Sequence, residues 1–209
     1  MTDAGFVRAA REGDASALAG VQVASWREGY AGIVPAELLD ELTGPEATAA
    51  WQERWREAIV SPPTSRHRVL VAVSSPSGFE AGLPGRTVVG FASAGPATDS
   101  DRWPATDAEL YELRILPEQT RHGHGGRLLH AVAETLADDG FHTACTWALE
   151  ADSALLGFLE SAGWAADGAR AELDVGVRVP TIRLHTTISV LRFAPGRGGA
   201  DGHLVSVRG

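Results

Sequence analysis

The chain has 209 residues, 44% of them hydrophobic and 22% charged, with a formal net charge of −9. That is enough for one domain with a sizeable core. It offers no apolar run of about 18 residues to span a bilayer, and too little basic surface for nonspecific nucleic-acid binding. All 18 basic residues are arginine, and the acidic balance admits a cationic substrate. With one cysteine, Cys145, no internal disulfide can form, and residues 1–6 lack the basic-then-apolar pattern of a secretion signal, so a cytoplasmic protein is expected.

In chain order, Phe6-Val7-Arg8-Ala9 reads as a first strand. Asp14 is placed to cap a helix with Leu18 and Val21 on one face, broken by Gly29 and Gly32. Pro35 opens a short helix through Leu42. Thr43-Gly44-Pro45-Glu46 then reads as a capping box before a helix carrying Trp51, Trp55 and Ile59 at spacings of four. Residues 68–73 and 87–94 read as strands joined by a long hairpin loop, 74–86, rich in glycine and proline. A polar loop leads to a strand over 108–116 whose alternation slips at Tyr111-Glu112, as a β-bulge would make it. Leu128, Leu129, Val132, Ala133 and Leu136 form one apolar stripe on a helix over 126–139. A buried strand follows at 143–149, with Cys145 as a small core residue. Asp152 caps a helix to Ala162, closed by Gly163. Residues 165–179 and 181–192 read as a final antiparallel pair around Pro180. Residues 1–192 thus form one α/β domain of the α+β type. Its mixed, largely antiparallel sheet of about seven strands is flanked by four to five helices. Residues 193–209 are a tail, flexible or carrying a weak extra strand at 203–207.

The stretch I-L-P-E-Q-T-R-H-G-H-G-G-R-L-L, residues 115–129, passes from strand to helix through Gly123, Gly125 and Gly126. The first N–H groups of a helix lack internal partners, and bare glycine backbone lets a phosphate approach them. A dinucleotide fingerprint needs G-x-G-x-x-G, but Leu128 stands where its third glycine would be. No G-K-[ST] follows either. What is left is a pyrophosphate cradle with neither a metal nor a ribose-reading acid. His122 and His124 have no Cys or carboxylate nearby to complete a metal site, so none is expected.

Pro117–Leu129 resembles motif A of the GNAT acyltransferase superfamily, Q/R-x-x-G-x-G/A. Gly123 and Gly125 match, and Thr120 stands where glutamine or arginine is usual. Phe158-Leu159-Glu160-Ser161-Ala162-Gly163-Trp164 is similar to its motif B. Ser25-Trp26-Arg27-Glu28-Gly29-Tyr30 is similar to the first helix of many bacterial members. The resemblance implies a GNAT-like fold over Phe6 to Arg192 and an acetyl-CoA-dependent N-acetyltransferase. Its acceptor would be a primary amine of a small molecule or peptide, attacking directly in a ternary complex; a homodimer is common among members.

The same resemblance implies that Thr120, Arg121, His122, Gly123, His124, Gly125 and Gly126 surround the pyrophosphate. Backbone groups of Leu113 and Ile115 would pair with the pantetheine arm and, with Arg114 between them, offer N–H groups to the oxyanion. Asp152, in place of the usual asparagine, and Phe158 would flank the same arm. A lysine-like amine, with a pKa of about 10.4, needs a base. Glu109, fourteen residues before Gly123, matches the spacing of the base in one branch of the family, and Glu112 is the rival. Trp26, Tyr30 and Tyr111 are the acceptor-side candidates. The tyrosine that usually protonates the departing thiolate is Leu159 here. Tyr30 or Tyr111 could substitute if the fold brings one close. Otherwise solvent serves, or the chain is a non-catalytic acyl-CoA-binding module.

Overall fold

The computed structural model describes residues 5–74 and 86–189. The expected loop over 74–86 and the tail with its strand at 203–207 fall almost wholly outside them. The elements are β1 (Phe6–Ala9), α1 (Ala15–Gly29), α2 (Ala36–Thr43), α3 (Pro45–Val60), β2 (Arg68–Ser74), β3 (Thr87–Pro96) and β4 (Asp107–Ile115). After these come α4 (His124–Asp138), β5 (Thr143–Leu149), α5 (Ser153–Ser161), β6 (Ala165–Asp174) and β7 (Arg178–Thr187). The strands form one seven-stranded sheet in the order β1-β2-β3-β4-β5-β7-β6. Every neighbouring pair is antiparallel except β4–β5, where α4 provides the crossover that a parallel pair requires. The α+β architecture and the strand count agree with the sequence.

The apolar stripe of α4 is buried as its spacing predicts. Leu128, Leu129, Val132, Ala133 and Leu136 pack on Leu70, Ala72, Val89, Ala92, Ala108 and Leu110 of the sheet, with Leu159 of α5 closing the cluster. On the opposite face α1 and α3 cover β2 and β3. Leu18, Ala19 and Val21 meet Val71, Val73 and Phe91, and the Trp55 ring stands edge-on to Phe91 at 4.6 Å. Trp55 is therefore core, whereas Trp51 stands edge-on to Trp26 at 5.1 Å. A third, smaller cluster joins Val34, after α1, to Leu149 at the end of β5 and Val179 of β7, with Tyr30, Val175 and Val177 against it.

Several local expectations are corrected. Asp14 does not cap α1: its carboxylate takes two bonds from Arg8, at 2.6 and 2.9 Å, and one from the Arg11 N–H at 2.7 Å. No capping box forms before α3. Gly44 is the cap, and the Thr43 hydroxyl instead donates back to the Leu39 carbonyl (2.6 Å) and accepts from Arg27. The last hairpin turns at residues 175–177, not at Pro180. That proline lies inside β7, opposite Glu172, where its carbonyl accepts from Glu150 N–H just beyond the last β5 pair. Its missing N–H points the same way as that carbonyl, so what is lost is the return bond to Glu150, one residue beyond the last β5 pair. Finally, α4 begins at His124, two residues earlier than expected, so Gly125 and Gly126 are in its first turn and Gly123 alone is the turn residue before it.

Candidate active site

β4 and β5 pair over three positions, Asp107 with Thr143, Ala108 with Ala144 and Glu109 with Cys145. Beyond these they part. The Thr146 hydroxyl donates to the Leu110 carbonyl at 2.7 Å, a side-chain bond at the point of separation. Tyr111 is the extra residue of a bulge, since Ser93 pairs with Glu112 and Ala94 with Leu110. The slip anticipated at Tyr111-Glu112 is thus present. It resets which face each later side chain occupies. Leu110, Leu113 and Ile115 join the α4 core, which leaves Glu109, Tyr111, Glu112 and Arg114 for the other face. The Leu116 N–H bonds the Val89 carbonyl on β3. Backbone direction alternates along a strand, so the Leu113 and Ile115 N–H groups face the gap left by β5.

Glu109 sits at the apex of this splay and is 8% exposed. Its Oε2 accepts from both the N–H (3.2 Å) and the hydroxyl (2.9 Å) of Thr98, which fixes the carboxylate, while no bond among the described residues ends on Oε1. Glu112 is differently placed: its Oε2 accepts from Arg114 at 2.7 Å. Arg114 reaches on to the Tyr30 hydroxyl at 2.5 Å. Burial opposes the Arg114 charge, but Glu112 and Tyr30 more than offset this, and its pKa ends above the usual arginine value. Tyr111 is committed elsewhere, donating to the Pro96 carbonyl at 2.6 Å with its ring stacked on His67. Burial first, then Glu109, pushes the Tyr111 pKa up to about 12. The Trp26 and Tyr30 rings lie 5.5 Å apart at the end of α1, so these two acceptor-side candidates stand together.

The helix-entrance turn is built by main chain. Gly123 caps α4 with φ of 80°, a left-handed conformation in which a side chain is strained. A Cβ on Gly126 would meet nothing within 4 Å, so the first turn is open there, whereas one on Gly125 would stand 3.3 Å from the Phe158 ring. Phe158 therefore underlies the turn. The side chains of Thr120, Arg121 and His122 are exposed on its rim, with the Thr120 hydroxyl bonded to the Pro117 carbonyl and Arg121 at φ 62°. The His124 ring is 1% exposed and bonds Arg127 at 2.9 Å, so this residue offers the turn its backbone N–H and not its side chain. Asp152 caps α5 by accepting from Leu155 N–H at 3.0 Å, a role asparagine would fill equally well. Leu159 is core.

Sequence reasoning missed Thr98 and gave Arg114 a backbone role without its side-chain one. Thr98 lies in an irregular loop with no periodicity to flag it. The Arg114 side-chain role could have been found, because alternation from Glu112 places it on the same face. A further group ties that loop down. Buried Arg183 on β7 holds Asp99 (2.7 Å), both oxygens of Asp101 (2.7 and 2.6 Å) and Asp167 (2.8 Å), and Trp147 donates to Asp99.

A sequence profile of the acetyltransferase (GNAT) family matches residues 36–164. The uncharacterized N-acetyltransferase YuaI of Bacillus subtilis is 33% identical over 150 residues, 72% of this chain and 75% of that one. The chain belongs to the GNAT acetyltransferase family. Solved structures share its fold at low identity. PaiA N-acetyltransferase from Thermoplasma acidophilum, in complex with coenzyme A, aligns with a TM-score of 0.61 at 18% identity, covering 88% of this chain and 99% of that one. YncA, a putative acetyltransferase from Salmonella typhimurium with its cofactor acetyl-CoA, aligns at 0.59 and 16%, covering 88% and 94%. In this chain Glu109 and the open β4 backbone meet where β4 and β5 part.

Proposed function

We propose that the protein is an N-acetyltransferase that moves acetyl from acetyl-CoA to a primary amine of a small molecule or peptide by direct attack. The observation that carries this reading is Glu109, fixed by Thr98 at the apex of the splay with one carboxylate oxygen uncommitted. The backbone N–H groups of residues 123–126 would hold the pyrophosphate, helped by the helix dipole, and the Leu113 and Ile115 N–H groups would meet the pantetheine arm. The open first turn at Gly126 and the φ of Gly123 suit that load. The bound donor supplies an activated acetyl thioester. Glu109 would take a proton from the incoming ammonium, and this is why it, and not the Arg114-paired Glu112, is assigned as base. The Leu113 N–H would face the developing oxyanion. Trp26 and Tyr30 would border the acceptor.

A second reading, donor binding without transfer, is favoured by one observation: Leu159, buried where the family usually carries its thiolate acid. Coenzyme A release measured against a panel of amines separates the two. Transfer requires release with at least one amine and its loss in Glu109→Gln. Tight acetyl-CoA binding with no release from any amine would leave the binding module standing.

A further inference from the structure

We propose that Tyr30 is the proton donor to the departing coenzyme A thiolate, in the place that Leu159 leaves without a proton. The inference rests on the acetyl-transfer reading above. Its first support is position. Tyr30 ends α1, packs with Val34 against Leu149 at the end of β5, and takes a 2.5 Å hydrogen bond from Arg114 of β4. It therefore reaches from one diverging strand to the other, across the gap into which the Leu113 and Ile115 N–H groups point.

The second support is the proton itself. Tyr30 Oη accepts from Arg114, and among the described residues nothing accepts its own hydrogen. The other tyrosine, Tyr111, gives its hydrogen to the Pro96 carbonyl. The Thr146 hydroxyl gives its own to Leu110, and buried Cys145 has its pKa pushed up to about 12 by burial first and then by Glu109. Among the described hydroxyl groups around the splay, Tyr30 is the one whose hydrogen is unspent. Cys145 also keeps its own, but it is 1% exposed on the still-paired part of β5, whereas Tyr30 is only half-buried.

The third support is its chemistry. Burial raises the Tyr30 pKa above the usual phenol value, with Arg114 pulling the other way, so the phenol is intact at neutral pH. The same guanidinium, anchored by Glu112 at 2.7 Å, would stabilise the phenolate once the proton has gone. The step balances. A bond forms from the amine nitrogen to the acetyl carbon, and the carbon–sulfur bond breaks with its electron pair going to sulfur. Tyr30 protonates the sulfur. The nitrogen sheds two protons in all: Glu109 passes the ammonium proton on to solvent, and the second, lost as the amide forms, returns to the phenolate through solvent. One amide and one free thiol result.

Tyr30→Phe keeps the ring and removes the hydrogen. With hydroxylamine, benzylamine, spermidine and an alanyl peptide as probes, kcat should fall by about 10–10²-fold. That is the low end for acid catalysis, because a thiolate already leaves fairly well. Acetyl-CoA affinity by calorimetry and the melting temperature should match the parent. Fluorotyrosine at position 30, a more acidic phenol, should move the alkaline limb of the kcat–pH profile to lower pH, which a packing role would not do. With only two tyrosines in the chain, a fluorine NMR spectrum is assigned by Tyr111→Phe, and adding coenzyme A alone should shift the Tyr30 signal. A kcat within about threefold of the parent, an unmoved alkaline limb or an unmoved fluorine signal would overturn the proposal alone. A parent chain that binds acetyl-CoA but releases no thiol to any probe would overturn the transfer reading along with it.

Discussion

The entrance to α4 and the polar face of β4 lie close in sequence and are built on opposite plans. The first is almost all main chain: Gly123 in a left-handed cap, an open Gly126, and a histidine whose ring is turned inward. The second is almost all side chain: Glu109 pinned by Thr98, Glu112 by Arg114, and Arg114 onto Tyr30. A main-chain site tolerates changes of side chain as long as the backbone conformation survives. A side-chain site loses its arrangement with any one member. This difference explains how Thr120 can depart from the family pattern at one end while pairing stays tight at the other.

The contrast can be broken most severely at Arg183, which fastens the Thr98 loop to β7. Arg183→Leu leaves Asp99 and Asp167 without their buried partner, so a loss of about 3–5 kcal/mol is expected, read as a lower urea midpoint. Next comes Glu109→Gln, which should lower kcat/KM at neutral pH by about 10²-fold. Calorimetry should show acetyl-CoA affinity unchanged, because the donor is held by the other region. Gly126→Ala should do the reverse. Its methyl would intrude on the open turn, and coenzyme A binding should weaken by about tenfold. Helix propensity would meanwhile raise stability by up to about 1 kcal/mol. An equal loss of affinity in Glu109→Gln and Gly126→Ala would dissolve the distinction.

The smallest effect is one of pH. The hydrogen bonds from Arg183 hold the Asp101 pKa at about 2, below its ordinary 3.8. A carboxylate lowered on folding contributes stability above its unfolded pKa and loses it as pH falls through the folded one. The urea midpoint should therefore drop between about pH 4 and pH 2, and drop less in Arg183→Leu.

Legibility in the sequence followed the same division. The α4 stripe, the Tyr111 bulge and the glycine turn are local patterns of spacing, and each appears in the structure. Capping by Asp14 and Thr43 failed because Arg8, on the strand before Asp14, and Arg27, on a neighbouring helix, competed for the same oxygens. The Thr98–Glu109 pair and the Arg183 cluster join residues that only the folded sheet brings together, so no window along the chain contained them. Pro180 misled because proline marks turns on average; within β7 its missing donor falls where β5 has already ended.

Three residue pairs are a short spine for a seven-stranded sheet. They leave it as two leaves, β1–β4 and β5–β7, sharing one binding at the end near Glu109. The page edge of β4 is consequently an interior one, fenced by α4 on one side and by the Tyr30–Val34 turn on the other. Unpaired strand edges invite stray chains to add themselves. This edge is recessed, so the sheet carries an open ladder without displaying it. Amide exchange at Leu113 and Ile115 should be fast in the free chain and slow once a ligand completes the ladder.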